Sequence, residues 1–526
     1  MRAIGWIIGA LMACATATAS AQTRAPTETE RLEELGRLWI YFELFSAHVA
    51  TSGVDWDAAL VETIPAVRRA RTEAQYVAAL NAMLARSGDP SARVIRDEEE
   101  SQAAPPATRI EAGVAIANCS TIAAAADVPA ALTELAQTPR GVVLDCRAFN
   151  VPWERAEAFI AALARSRTAQ TLPAGATMVR AYSGYPPEED GFRGYSAALS
   201  LVQEASIAPG RGAPSAHPLA IVIDAGMAPY LPTLAALRTA GAARLVADGG
   251  VGNGRVWVDI GADRWALMSR GVYIYPNGAS GFRADASAGE DAVGAALALL
   301  SAPPAPTASA ITPLLQGRPP HAYAGDDEAP PVEMRLLALY RLWGTIEYFF
   351  PYHELTDRPW DDTLEEFIPL FRDANTRAAY ETAVLRLVAR MQDRHAGEVR
   401  GLRAILYAAA PDRPNLATRY VQGRLAITAV RDAEVSDRVF VGDEILAVDN
   451  VPISQLEARL TPLISHSTPQ SLRGLLSWYV LAGPEDSQAE LTLRGADGAV
   501  RTVRVARSTP RRPPAEESPI WRTLEG

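Results

Sequence analysis

The stretch Leu219-Ala220-Ile221-Val222-Ile223-Asp224 is an unbroken apolar run ending on a carboxylate, and Ala225 to Pro232 leads from it into Leu234 to Thr239, which has helical spacing. Strands buried on both faces read as continuous Val, Ile and Leu rather than as alternation, so the run predicts an interior strand of a parallel sheet followed by its helix. Upstream, Gly141-Val142-Val143-Leu144-Asp145 has the same form. Strand and helix patterns alternate from about residue 108 to about residue 302, the signature of an α/β unit.

Two breaks bound that unit. Asp97 to Pro106 is acidic and contains proline, while 303–331 is dense in proline, glycine and alanine and reads as a linker. Outside the breaks the chain repeats itself. Arg37-Leu38-Trp39 recurs as Arg341-Leu342-Trp343, and the offset of 304 carries Trp56-Asp57 onto Trp360-Asp361, Ile64-Pro65 onto Ile368-Pro369, Tyr76 onto Tyr380 and Asp89 onto Asp393. In copy one, Leu32, Leu35, Leu38, Phe42 and Phe45 fall at three- and four-residue steps, and Leu336, Leu339, Leu342, Ile346 and Phe349 match them in copy two. Tyr76, Leu80, Met83 and Leu84 match Tyr380, Val384, Leu387 and Val388 as a second helix. Two small helical units are expected, 28–96 and 332–400, each docked on something larger. Beyond them, Leu425 to Val505 holds short strands with turn residues between, giving an expected β domain over 415–508 and a tail over 509–526.

Of the 526 residues 48% are apolar, and 61 acidic side chains face 50 basic ones, enough chain for several globular domains. All 50 basic residues are arginine. Arginine stays protonated, so Schiff-base enzymes, lysine-built phosphate loops and serine nucleophiles with a lysine base are excluded. A net charge of −11 without a basic stripe argues against nucleic acid as a partner. His48, His217, His321, His353 and His466 show no metal-ligand spacing, and no metal or cofactor is expected.

Arg2, the apolar stretch Ile4 to Ala15, and Ala19-Ser20-Ala21 before Gln22 form the pattern of a secretory signal cleaved after residue 21. The alternative is a lipoprotein leader, since Leu11-Met12-Ala13-Cys14 resembles a lipobox. No later segment has the uninterrupted apolar length that spans a bilayer, so a soluble periplasmic or secreted protein is expected. Cys119 and Cys146 lie in strand-like apolar runs and are read as two buried thiols, with a disulfide left open by an oxidising compartment.

Three pieces together resemble the tail-specific, carboxy-terminal processing serine peptidases of the tricorn-related kind. Gln392-Asp393-Arg394-His395 resembles the Asp-Ser-His type motif that ends that family's amino-terminal helical domain. Leu425 to Val430, followed by Gly442-Asp443-Glu444-Ile445-Leu446-Ala447-Val448-Asp449, is similar to a bacterial PDZ domain. Gly141 to Asn150, Ile221 to Pro232 and Asp248 to Arg255 resemble three landmarks of the family's catalytic domain. The resemblance implies a multidomain α/β plus α plus β protein, with a crotonase-like α/β unit over 108–302, two repeated helical units and one PDZ-like β domain.

It also implies where a catalytic centre would stand, and there the residues depart from the family's pattern. Pro229 stands at the serine position and offers neither a nucleophile nor a backbone donor. Gly252-Asn253-Gly254 carries Asn253 where the family has a lysine base, and the oxyanion turn reads Arg147-Ala148-Phe149-Asn150 instead of being glycine-rich. Losing one oxyanion donor alone typically costs about 10² to 10³ in rate, so 108–302 is expected to be a degenerate, pseudo-catalytic domain. His395 is the other candidate base; copy one has Ser91 at that place, in Asp89-Pro90-Ser91. A histidine ending a helix also caps terminal carbonyls, and both readings stay open. The final Trp521-Arg522-Thr523-Leu524-Glu525-Gly526 matches the entry to the α/β unit, Thr108 to Gly113, so a second such domain is expected beyond it, either lost or not included.

Three functions follow. One is an inactive peptidase relative that binds peptide or protein C-termini through Tyr420, Gly423, Arg424, Leu425 and Ile427, with Gly423 admitting a carboxylate close to the backbone. The second is an active serine-type peptidase with His395 as base. The third is a cell-envelope scaffold.

Overall fold

The computed structural model describes residues 26–96, 108–137, 140–183, 196–261, 264–301, 329–398 and 412–510. The expected leader with Cys14, the break at 97–106, nearly all of the linker and the tail from 511 lie outside the described residues.

Copy one holds α1 (Glu28–Phe45), α2 (Ala47–Thr51), α3 (Trp56–Arg69), α4 (Glu73–Ala85) and β1 (Arg93–Arg96). A capping box starts α1, with Thr27 and Glu30 exchanging side-chain and backbone bonds. Ser46, Asp55 and Thr72 cap the next three helices.

The α/β unit runs β2 (Arg109–Glu111), β3 (Val114–Asn118), α5 (Cys119–Ala123), α6 (Val128–Leu135), β4 (Val142–Asp145), α7 (Trp153–Arg167), β5 (Ala176–Ser183), β6 (Ser196–Gln203), β7 (Leu219–Ile223), α8 (Leu231–Thr239), β8 (Arg244–Ala247), β9 (Val256–Gly261), β10 (Arg264–Met268), β11 (Val272–Ile274), β12 (Ala286–Ser287) and α9 (Ala292–Leu299). Its main sheet has the order β12-β8-β7-β4-β3-β2, parallel except for β2. Every residue of β4 and β7 is buried, because helices cover both faces. Leu144, Ile221, Phe159 and Leu234 belong to a core on one face, and Val143, Val222, Ala292 and Ala296 to a core on the other. Asn118 and Asp145 are partners in the parallel ladder, so the residues that follow them meet. Cys119 and Cys146 form a disulfide there, with their Cα atoms 4.8 Å apart, which corrects the expectation of two thiols.

Copy two holds α10 (Val332–Phe349), α11 (Thr363–Arg372) and α12 (Arg377–Ala389). It shares one core with copy one, into which β9 and β10 also insert Val258, Ile260, Ala266 and Met268. Contacts across the pair are reciprocal at the 304 offset. Gly36 lies against the Tyr340 ring and Gly344 against Ile40. Arg37 bonds Asp361 at 2.6 Å and covers Trp343, while Arg341 bonds Asp57 at 2.6 Å and covers Trp39. The same patch is used on both sides, the rule of a two-fold interface, here contained in one chain.

Among the described residues, copy one carries an ion-pair lock to the α/β unit. Arg264, 3% exposed, joins Glu34 and Glu73, and Tyr76 donates to Glu34 at 2.6 Å. The matching residues of copy two are Ala338 and Arg377, which cannot make that lock.

The carboxy-terminal β unit contains β13 (Asp412–Pro414), β14 (Leu416–Val421), β15 (Arg424–Val430), β16 (Glu444–Val448), β17 (Val451–Pro452), α13 (Ile453–Leu460), α14 (Pro469–Tyr479), β18 (Gln488–Arg494) and β19 (Val500–Pro510). Its sheet has the order β13-β19-β18-β16-β15-β14, with β17 paired to β16.

Candidate functional site

In open α/β sheets ligands bind beyond the carboxyl ends of the strands. Here β4, β7 and β8 end side by side on Asp145, Asp224 and Asp248. Arg147 ties two of them together, at 2.7 Å from Asp145 and 3.1 Å from Asp248, and the bond to Asp145 is the main reason its guanidinium is held even further above its ordinary range. Ala148 has φ 50, a left-handed conformation, and its amide donates to Asp224 Oδ2 at 2.8 Å. The Gly226 amide donates to the other oxygen of the same carboxylate at 2.7 Å. Pro229 sits in the short helical turn Ala225–Tyr230 that leads into α8. Asn253, 5% exposed, spends its amide on Thr177 Oγ1 at 2.6 Å. Ala148, Pro229 and Asn253 thus surround this end of the sheet without one nucleophile or base among them, and an internal carboxylate already takes the Ala148 amide.

Copy one delivers Asp89 and Ser91 to the same loop. Asp89 accepts from the amide and hydroxyl of Ser269 at 2.6 Å each and from the Ser91 hydroxyl at 2.8 Å, and the two serine oxygens lie 2.9 Å apart. Gly252 is required here, because a Cβ on it would stand 1.8 Å from Ser269 Oγ. Burial lowers the pKa of the nearby His48 imidazole, against the pull of Asp89. Sequence reasoning did not single out Ser269, and nothing local marks it; Asp224 was visible as the carboxylate closing β7.

At the matching place in copy two, Asp393 Oδ1 accepts the His395 amide at 3.0 Å and meets His395 Nδ1 at 3.1 Å. Among the described residues the ring's partner is this carboxylate, and its side chain is 92% exposed. Ser465 and Ser467 fasten this turn to the β unit, through Asp393 O at 2.7 Å and the Arg394 amide at 2.9 Å. His395 and His466 line a common cleft of about 470 Å³ with Phe350, Tyr352 and Asp393.

In the β unit Tyr420 pairs with Leu425 and Val421 with Arg424, around a two-residue turn of Gln422 (φ 49) and Gly423 (φ 79). Positive φ at both central positions is the tight hairpin geometry, so Gly423 serves a turn. Leu425 and Ile427 lie in β15, which is paired on both sides by β14 and β16. A strand paired on both sides cannot add a peptide, so the expected binding strand is corrected: the outer edge belongs to β14. Beside that edge runs α14, with Thr418 donating to Ser477 O at 2.7 Å. Just before β14, Arg413 is 6% exposed, lies 3.8 Å from the Trp478 ring centre and has an Nε with no hydrogen-bond partner.

No protein-family model matches the chain, and no curated protein does. Among solved structures it is similar to a putative peptidase from Parabacteroides merdae, at 12% identity and TM-score 0.34 over 52% of this chain and 97% of that one. It is also similar to mature CPAF complexed with lactacystin, at 15% identity and TM-score 0.26 over 33% and 34% of the two chains. A third similarity is to the photosystem II D1 C-terminal processing protease, at 15% identity and TM-score 0.25 over 53% and 98%. At these TM-scores none of the likenesses carries fold or activity over to this chain.

Proposed function

We propose that the protein is an exported, proteolytically inactive relative of the tail-specific serine peptidases, and that its PDZ-like β unit binds the carboxy-termini of peptides or proteins. The observation that carries the reading is the outer edge of β14, flanked by α14 and headed by the partnerless Nε of Arg413. An extended peptide added there would take its affinity from main-chain bonds. Its terminal carboxylate would meet the buried Arg413 guanidinium at that end of the strand; burial lowers the Arg413 pKa, and Arg431 adds to the positive field. Loss of proteolysis is supported by Ala148, Pro229 and Asn253 together. The test is fluorescence anisotropy with labelled peptides carrying free or amidated carboxy-termini. Free peptides should bind, amidated ones should not, and Arg413→Gln should weaken binding about tenfold or more. Equal binding of both peptide forms refutes the reading.

A second reading is favoured by the Asp393–His395 contact. His395 would act as general base in an active peptidase whose nucleophile comes from outside the described residues. Labelling of the full chain by a fluorophosphonate, lost in His395→Ala, decides for it.

A further inference from the structure

The α/β unit has another opening, at the end of the sheet opposite Asp145 and Asp224. A cavity of about 740 Å³ lies between α6, the last turn of α7, the first residues of β4 and β7, and the loop 210–215. That is the size of a small-molecule site. Its floor is apolar, with Leu132, Leu135, Leu144, Leu163 and Leu219. Its charge is of one sign: Arg165, Arg167 and Arg211 line it and no Asp or Glu does, in a chain with net charge −11. Arg167 is committed to the carbonyls of His217 and Ala242. The Arg165 and Arg211 side chains make no hydrogen bond or ion pair among the described residues. The Ser215 hydroxyl is buried without a partner, although its amide is held by Ser166 O at 2.8 Å. The loop is pinned where it stands, since Gly210 donates to Thr168 O at 3.0 Å and a Cβ there would lie 2.1 Å from Arg165 O.

We propose that this cavity binds a single-chain anionic amphiphile, a medium-chain fatty acid, with its alkyl chain on the leucine floor and its carboxylate at the mouth between Arg165 and Arg211. Burial of the chain supplies most of the affinity. The exposed guanidiniums are solvated and screened, so they select acid over alcohol rather than hold the ligand by themselves.

The test uses the full chain and dansyl-labelled undecanoic acid, followed by fluorescence and displaced by laurate or by lauryl alcohol at fixed ionic strength. Saturable probe binding is expected, with laurate displacing it about tenfold better than the alcohol. Arg165→Gln with Arg211→Gln should bring the two competitors level. Ala213→Trp, an exposed rim position, should block the probe while leaving the melting temperature unchanged. The proposal is overturned if the probe does not saturate, if acid and alcohol compete equally on the unaltered chain, or if Ala213→Trp binds the probe as before.

Discussion

The amide of Ala148 donates to the carboxylate of Asp224 at 2.8 Å, across 76 residues of sequence. This bond occupies the Ala148 amide, and it uses a carboxylate that also holds the Gly226 amide. Asp224→Ala removes both acceptors from half-buried donors, so a loss of about 1–3 kcal/mol is expected in urea unfolding. Fluorophosphonate labelling should stay at background in the same variant, because freeing the amide does not give Pro229 a hydroxyl. Labelling that rises in Asp224→Ala would contradict the inactive reading.

Gly36→Ala and Gly344→Ala test the reciprocal helix pair. In an open helix interior glycine costs roughly 0.5–1 kcal/mol relative to alanine, so a gain in stability would be the ordinary result. Here the new Cβ would stand 2.5 Å from the Tyr340 ring in one case and 2.2 Å from Ile40 Cγ1 in the other. Overpacking of that kind typically costs about 1–3 kcal/mol. Both variants should therefore lower the urea midpoint, and a rise in either would mean that the copies do not cross at these glycines.

The cysteines show what one sequence leaves hidden. Cys119 and Cys146 each read as a buried thiol in an apolar run, which is correct for burial and silent on pairing. Pairing needs the register of two parallel strands joined by a long connection, and Asn118 opposite Asp145 is a non-local fact. The same limit applies to the β unit. Its strands were legible from turn residues, but whether β14 or β15 faces outward depends on strand order, which local pattern does not encode. In contrast, the residues that meet across the two helical copies, Arg37 with Asp361 and Arg341 with Asp57, already stood in the repeat, Arg37 matched to Arg341 and Asp57 to Asp361. What the pattern lacked was that the copies would meet each other as well as a larger body. That residue 229 is a proline with no hydroxyl was readable because it depends on residue type alone.

Removing the disulfide gives a third prediction. Cys119→Ala with Cys146→Ala opens a link between residues 27 apart in sequence, joining the two strand ends beside the Asp145 carboxylate. Cross-links closing loops of this size typically contribute about 2–4 kcal/mol, largely through the unfolded chain. Thermal melting should therefore fall in the double variant and in the reduced protein alike. Unchanged melting on reduction would show that the thiols are not joined in solution.

Glu34 gives the dependence on pH. Its carboxyl is 4% exposed, and burial pushes its pKa up from its ordinary 4.5 to about 7, against the Tyr76 hydrogen bond and the Arg264 charge. Between those values the folded chain keeps a proton that the unfolded chain has released. Stability then falls as pH rises through that window, and above about 7 both states are ionised and the loss is complete. The slope from this one group is at most about 1.4 kcal/mol per pH unit. Glu34→Gln cannot titrate, so its stability relative to the unaltered chain should improve steadily from pH 5 to pH 7 and then level off. Urea midpoints of the two proteins across that range measure the difference directly, and curves that run parallel would rule out a protonated Glu34 in the lock between copy one and the α/β unit.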